Sequence, residues 1–128
     1  MSTEPVSARR IDDLPQLWDG FAKLVREGLG ITGFGAQIMD LPPDYRTRSH
    51  DEADTGQEEL YVALRGSGAV VITGEPEVEH PLDADHLVCV RAGVDRILAS
   101  GSDGLRVLCV GGAPGRPYEP PDWTTGGG

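Results

Sequence analysis

"SHDEADTGQEELYVALRGSG", residues 49–68, sets one histidine and a crowd of carboxylates ahead of a run that Gly66-Ser67-Gly68 closes. Successive side chains on a strand point to opposite faces, so a strand beginning at Glu59 puts Glu59, Tyr61 and Ala63 on one face. Reading this stretch as an acidic loop feeding a strand decides the class of the chain, because the same alternation of turn and strand repeats as far as residue 112.

From residue 31 onward the hydrophobic period is two, and turn residues interrupt it at short intervals. Strands are predicted at "GFGAQIMDL" (33–41), "YRTRSH" (45–50), "ELYVALRG" (59–66), "AVVITG" (69–74), "EVEHPL" (77–82), "HLVCVRA" (86–92), "DRILAS" (95–100) and "LRVLCVGG" (105–112). Pro42-Pro43-Asp44, Gly74-Glu75-Pro76, Ala92-Gly93 and Gly101-Ser102-Asp103-Gly104 supply the punctuation. Eight short strands predict an all-β double-sheet roll or barrel over residues 31–112 that removes its exposed edges by closing.

Upstream, Leu14, Leu17, Trp18, Phe21, Leu24 and Val25 fall at helical spacing and predict one amphipathic helix over residues 13–29. Asp13 with Gln16 marks its start, Pro15 fits its first turn, and Gly28 or Gly30 its end. Trp18 and Phe21 read as core residues of that stripe. Residues 1–10 carry no period and read as a flexible arm. The Pro- and Gly-rich segment 113–128 reads as an extended tail ending in disorder, pinned to the barrel or to a partner subunit by Tyr118 and Trp123.

At 128 residues and 38% hydrophobic content, residues 11–112 make one domain able to bury a core without crosslinks. Cys89 and Cys109 sit in apolar runs and read as buried strand thiols. The net charge of −10 disfavours nucleic acid and anionic membrane surfaces as partners. No apolar run is long enough to span a bilayer and the N-terminus carries no leader pattern, so the expected location is the cytoplasm.

The spacing Glu59, six residues, Gly66 resembles the second half of the first motif of the cupin family, whose small jelly-roll barrel (a double-stranded β-helix) carries two motifs on facing strands. The resemblance covers residues 33–112. It implies that His50 stands as a first ligand, that Glu52 replaces a second histidine, and that Glu59 is the motif carboxylate. Aligning Gly93 with the glycine of the second motif puts Arg96 at the third histidine ligand and Ser100 at the motif asparagine. A guanidinium has no lone pair to offer and repels a divalent cation. No resident metal is therefore expected. If one binds, the ligands implied are His50, Glu52 and Glu59, holding Mn, Fe, Ni or Zn. His80 and His86 lie by turns and stay outside the site.

Three functions are expected from these readings. The first is a metal-free barrel that binds a small molecule, with His50, Glu59, Tyr61 and Arg96 around the pocket. Here Arg96 either pairs with Glu59 or grips a substrate carboxylate or phosphate, with His50 or Glu59 as base. The second is a metal-dependent oxygenase, isomerase or lyase. The third is a structural or interaction protein with a filled barrel. The resemblance also implies a homodimer.

Overall fold

A computed structural model describes residues 4–125. The first three residues of the arm, and Gly126–Gly128 where the sequence predicts disorder, lie outside the described residues. Residues 4–10 are exposed and form no helix or strand, and Arg9 ties them down by donating to the carbonyls of Gly28 (3.2 Å) and Asp13 (2.8 Å).

The structure replaces the predicted helix over 13–29 with a β-hairpin and one short helix. β1 (Gln16–Leu17) pairs antiparallel with β2 (Ala22–Leu24), and only Val25–Leu29, α1, is helical. The cause is the turn Trp18-Asp19-Gly20, whose three φ angles are +54°, +53° and +88°. Three successive left-handed residues cannot continue a right-handed helix. The hairpin also corrects the expectation for Trp18, which is 57% exposed rather than core. Gly30, left-handed at φ +73°, ends α1.

The remaining strands are β3 (Gly35–Leu41), β4 (Glu58–Ile72), β5 (Val78–Leu82), β6 (Leu87–Val90) and β7 (Arg96–Gly112). They form an antiparallel sheet in the order β1-β2-β3-β7-β4-β5, with β6 added to β4. Two pairs of predicted strands are single long ones: β4 joins 59–66 to 69–74, and β7 joins 95–100 to 105–112. Their register shifts between Ala63/Arg65 and Gly66/Gly68, so the pair bends there. Gly66 is required at the bend, because at φ +77° a Cβ would strike the carbonyl of Gly104.

Beyond the bend each half of β4 takes a different second neighbour. Glu59–Val62 pair with β6, and Gly68–Ile72 pair with β5. The result is a jelly roll, although the ladder of described residues leaves β5 as an edge instead of closing as expected. The predicted strand at 45–50 is reduced to two bridges, Arg46 to Ala99 and His50 to Arg96. Between them the hydroxyl of Thr47, rather than a backbone carbonyl, accepts the Leu98 amide at 3.0 Å, which breaks the ladder.

Tyr61, Val70, Leu98 and Val107 anchor the core inside the roll. A second cluster places Leu14 and Val25 on Ala36 and Ile38, so α1 covers the outer face of β3. Gln37 and Met39 therefore face inward. Cys109 is buried, but Cys89 is exposed: on β6 it shares the outward face with Leu87, and Arg91 Nη1 lies 2.8 Å from its sulfur.

Candidate functional site

Inside the roll lies a cavity of about 200 Å³. β3 contributes Gly35, Gln37 and Met39 to its wall, β4 contributes Glu59 and Tyr61, and β7 contributes Leu98, Cys109 and Gly111. His50, Glu52 and Gln57 come from the acidic loop, and Thr47 from the bridge segment before it. The mouth is made by Trp18 of the hairpin and by Tyr118, Pro121 and Trp123 of the tail.

The acidic loop folds against this wall for local reasons. His50 exchanges two backbone hydrogen bonds with Arg96, at 3.0 and 2.9 Å, which fixes its position beside β7. The Asp51 carboxylate accepts the Ala53 amide and the Glu52 carbonyl accepts the Gly56 amide, closing a tight turn. Thr55 Oγ1 donates to Glu52 Oε1 at 2.8 Å and so holds that carboxylate toward the cavity. The loop between His50 and Glu59 is thus a turn that delivers Glu52.

At the centre Glu59 Oε1 accepts from Tyr61 Oη at 2.6 Å and from His50 Nε2 at 3.2 Å. The same His50 nitrogen lies 3.4 Å from Glu52 Oε2. Burial alone would raise the Glu59 carboxyl. The hydrogen bonds from His50 and Tyr61, with the charges of His50 and Arg96, more than offset it, so its pKa is lowered. Burial, followed by the Glu59 charge, raises Glu52 despite the Thr55 hydrogen bond. Burial and the nearby Glu59 carboxylate push the Tyr61 phenol and the Cys109 thiol upward, so both remain protonated donors near neutral pH.

Of the four pocket residues expected from sequence, His50, Glu59 and Tyr61 line the cavity and Arg96 does not. Arg96 is fully buried, and its Nη2 turns away to the carbonyls of Val90 (3.3 Å) and Arg91 (3.4 Å). Its Nη1 comes within 3.8 Å of Glu59 Oε1, an ion pair without a hydrogen bond. Among the described residues Nε and Nη1 have no hydrogen-bond partner. In this geometry Arg96 stands behind the cavity wall, beside Glu59, rather than on it. Gln57 and the aromatic mouth escaped the sequence reading, apart from the expectation that Tyr118 and Trp123 pin the tail.

The tail is held at several points. Trp123 stacks on Trp18 with ring centroids 5.5 Å apart, and Arg26 lies 5.3 Å from the centroid of Tyr118. Tyr118 lies over Gly35, where a Cβ would run into its ring. Gln57 Nε2 donates to the Glu119 carbonyl at 3.3 Å and Arg116 to the Thr55 carbonyl at 2.8 Å.

His50, Glu52 and Glu59 each offer a ligand atom within 4.8 Å of the others, a set that allows a divalent metal. The fit is incomplete, because the fully buried Arg96 guanidinium stands behind the central carboxylate. His86 hydrogen-bonds Asp83 at 2.7 Å on the exposed β5–β6 turn, and His80 is exposed on β5, so both lie outside the cavity.

No protein-family model and no curated protein matches the chain. Solved structures do. A cupin protein from Bacteroides fragilis superposes with a TM-score of 0.68 at 22% identity, covering 95% of each chain. Oxalate decarboxylase from Bacillus subtilis, in a structure concerned with its Mn(II) centres, gives 0.66 at 19% identity over 97% of this chain and 35% of its own. Tomato vicilin gives 0.57 at 20% identity over 70% of this chain and 25% of its own. The chain thus spans about a third of the decarboxylase and a quarter of the vicilin. Jelly roll, inward Glu59 and these likenesses together give this chain the cupin fold. No helix among the described residues is long and apolar enough to cross a membrane.

Proposed function

We propose that this chain is a cupin that binds a small organic molecule in its barrel without a resident metal. The observation that carries this reading is Arg96, a fully buried guanidinium 3.8 Å from Glu59 at the position where the resemblance puts a third histidine. Its charge opposes a dication held by Glu59. The cavity favours ligands that donate hydrogen bonds, since Glu52, Glu59, Gln37 and Gln57 offer acceptors and no Lys or Arg stands on the wall. That open space counts against a filled, purely structural barrel. Self-association into a homodimer belongs to the same proposal, with Val78, Leu87 and Val94 as exposed apolar surface on β5, on β6 and in the turn after β6. A mass that stays monomeric at every concentration would remove it.

The test is elemental analysis of protein purified without chelator and then offered Mn²⁺, Fe²⁺, Ni²⁺ and Zn²⁺, beside a thermal-shift screen of small metabolites. Sub-stoichiometric metal together with a saturable ligand shift is expected. A second reading, a metal-dependent oxygenase, isomerase or lyase, is favoured by the convergence of His50, Glu52 and Glu59 and by the likeness to a decarboxylase with Mn(II) centres. A bound metal would act as a Lewis acid on a substrate oxygen. Near-stoichiometric metal that disappears in Glu59→Ala would establish this second reading in place of the first.

A further inference from the structure

The composition of the wall narrows the ligand. Two carboxylates, Glu52 and Glu59, line it, and so do the rings of Trp18 and Trp123, stacked on each other. Aromatic faces and carboxylates share one preference, for positive charge. Apart from His50 no basic side chain lines the cavity. Arg96 stands behind Glu59 and Arg26 lies on the Tyr118 ring, and neither lines the cavity.

Charge counting points the same way. Two carboxylates and no Lys or Arg line the cavity, and the one guanidinium close to them, Arg96, stands behind Glu59. The chain as a whole, at −10, concentrates cations and repels anions.

The hairpin holds Trp18 in an unusual backbone conformation at the cavity. Trp18 has φ +54° and is followed by Asp19 at +53°. A bulky residue in that region is uncommon, and such conformations cluster at functional sites. The indole is not rewarded by burial in the core, because it stays 57% exposed at the cavity mouth. Its contacts there are Trp123 and Phe21, at centroid distances of 5.5 and 6.5 Å.

Resting on the reading of the cavity as a small-molecule site, we infer that its ligand is a compact organic monocation of the alkylammonium type. The charged head lies between the carboxylates of Glu52 and Glu59 and the rings of Trp18 and Trp123. The ligand's alkyl portion packs on Met39 and Leu98.

The test is calorimetric titration of the full chain with choline and n-butylammonium, each beside its uncharged isostere, 3,3-dimethylbutan-1-ol and butan-1-ol, and with oxalate as an anion. Trp18→Leu and Trp123→Leu are titrated in parallel, with circular dichroism to show that they remain folded. At least one cation is expected to bind about tenfold or more tighter than its isostere, with a loss of similar size in each Trp variant. Equal binding of cation and isostere would overturn the cation while leaving a small-molecule pocket. Binding of oxalate or of screened acids alone, with no cation bound, would overturn it too. Absence of any ligand shift across the metabolite screen would remove the pocket reading itself.

Discussion

The Arg96 guanidinium, fully buried, has Glu59 as its only carboxylate partner among the described residues, at 3.8 Å and without a hydrogen bond. A buried charge left without its counter-ion is far more costly than a lost surface pair. Glu59→Gln preserves shape and can still accept from Tyr61, yet it strips Arg96 of its counter-charge. The expected loss of unfolding free energy is about 3 kcal/mol or more, read by urea denaturation. Glu52→Gln, which strands no buried cation, is expected to cost about 1 kcal/mol or less. Equal effects would show that the Glu59–Arg96 pair contributes nothing special.

Arg96→His removes the opposing charge and places an imidazole on the inward-facing side of β7, where Leu98 two residues on lines the cavity. Affinity for Mn²⁺ or Zn²⁺ is expected to rise about tenfold or more over the parent chain, read by calorimetry. No gain would mean that the guanidinium is not what weakens the metal site.

Asp40, which bonds Lys23 at 2.6 Å and Arg106 at 2.7 and 3.1 Å, should contribute to acid sensitivity alongside Glu59. Burial alone would raise its carboxyl, but the hydrogen bonds from Arg106 and Lys23 more than offset this, and its pKa is lowered. The folded value lies below the unfolded one. The stabilisation is therefore complete above the unfolded carboxylate range and is lost as pH falls through the folded value. Asp40→Asn should lower thermal stability at pH 7 and flatten its decline in acid. An unchanged acid limb would remove Asp40 from the account.

Gly35→Ala tests the attachment of the tail. The added methyl meets the Tyr118 ring, whereas the backbone pairing of Gly35 with Gly111 is unaffected. Chymotrypsin cleavage after Tyr118 should accelerate and tryptophan fluorescence should shift, with a melting temperature close to that of the parent. A protected Tyr118–Glu119 bond in the variant would mean that Tyr118 does not hold the tail down.

The turn chemistry of the sequence carried most of the strand order, because Gly66, Gly93 and the Gly101–Gly104 segment each mark a reversal or a bend. The hairpin at 16–24 was illegible for a definite reason. Two strands of two and three residues are too short to show a period, and their apolar residues happen to repeat at helical spacing. The dipeptide Asp19-Gly20 was the available signal, and it lay inside that stripe. Alternation puts Glu59 and Tyr61 on one face, and both line the cavity. It could not show where Arg96 directs its charge, because two carbonyls at the end of β6 and beyond it draw the guanidinium aside. Trp18 and Trp123 lie near opposite ends of the chain and meet only in the folded molecule.

β4 and β7 each run unbroken through both halves of the roll, bending together at Gly66. Neither half can lose its order while the other keeps a complete ladder, since each borrows the same two strands. The carboxylates around the cavity and the apolar packing beyond the bend should therefore melt in a single cooperative transition. A substitution at either end of these strands will register as a change in global stability, and local loosening will be confined to the tail and the hairpin that meet at the mouth.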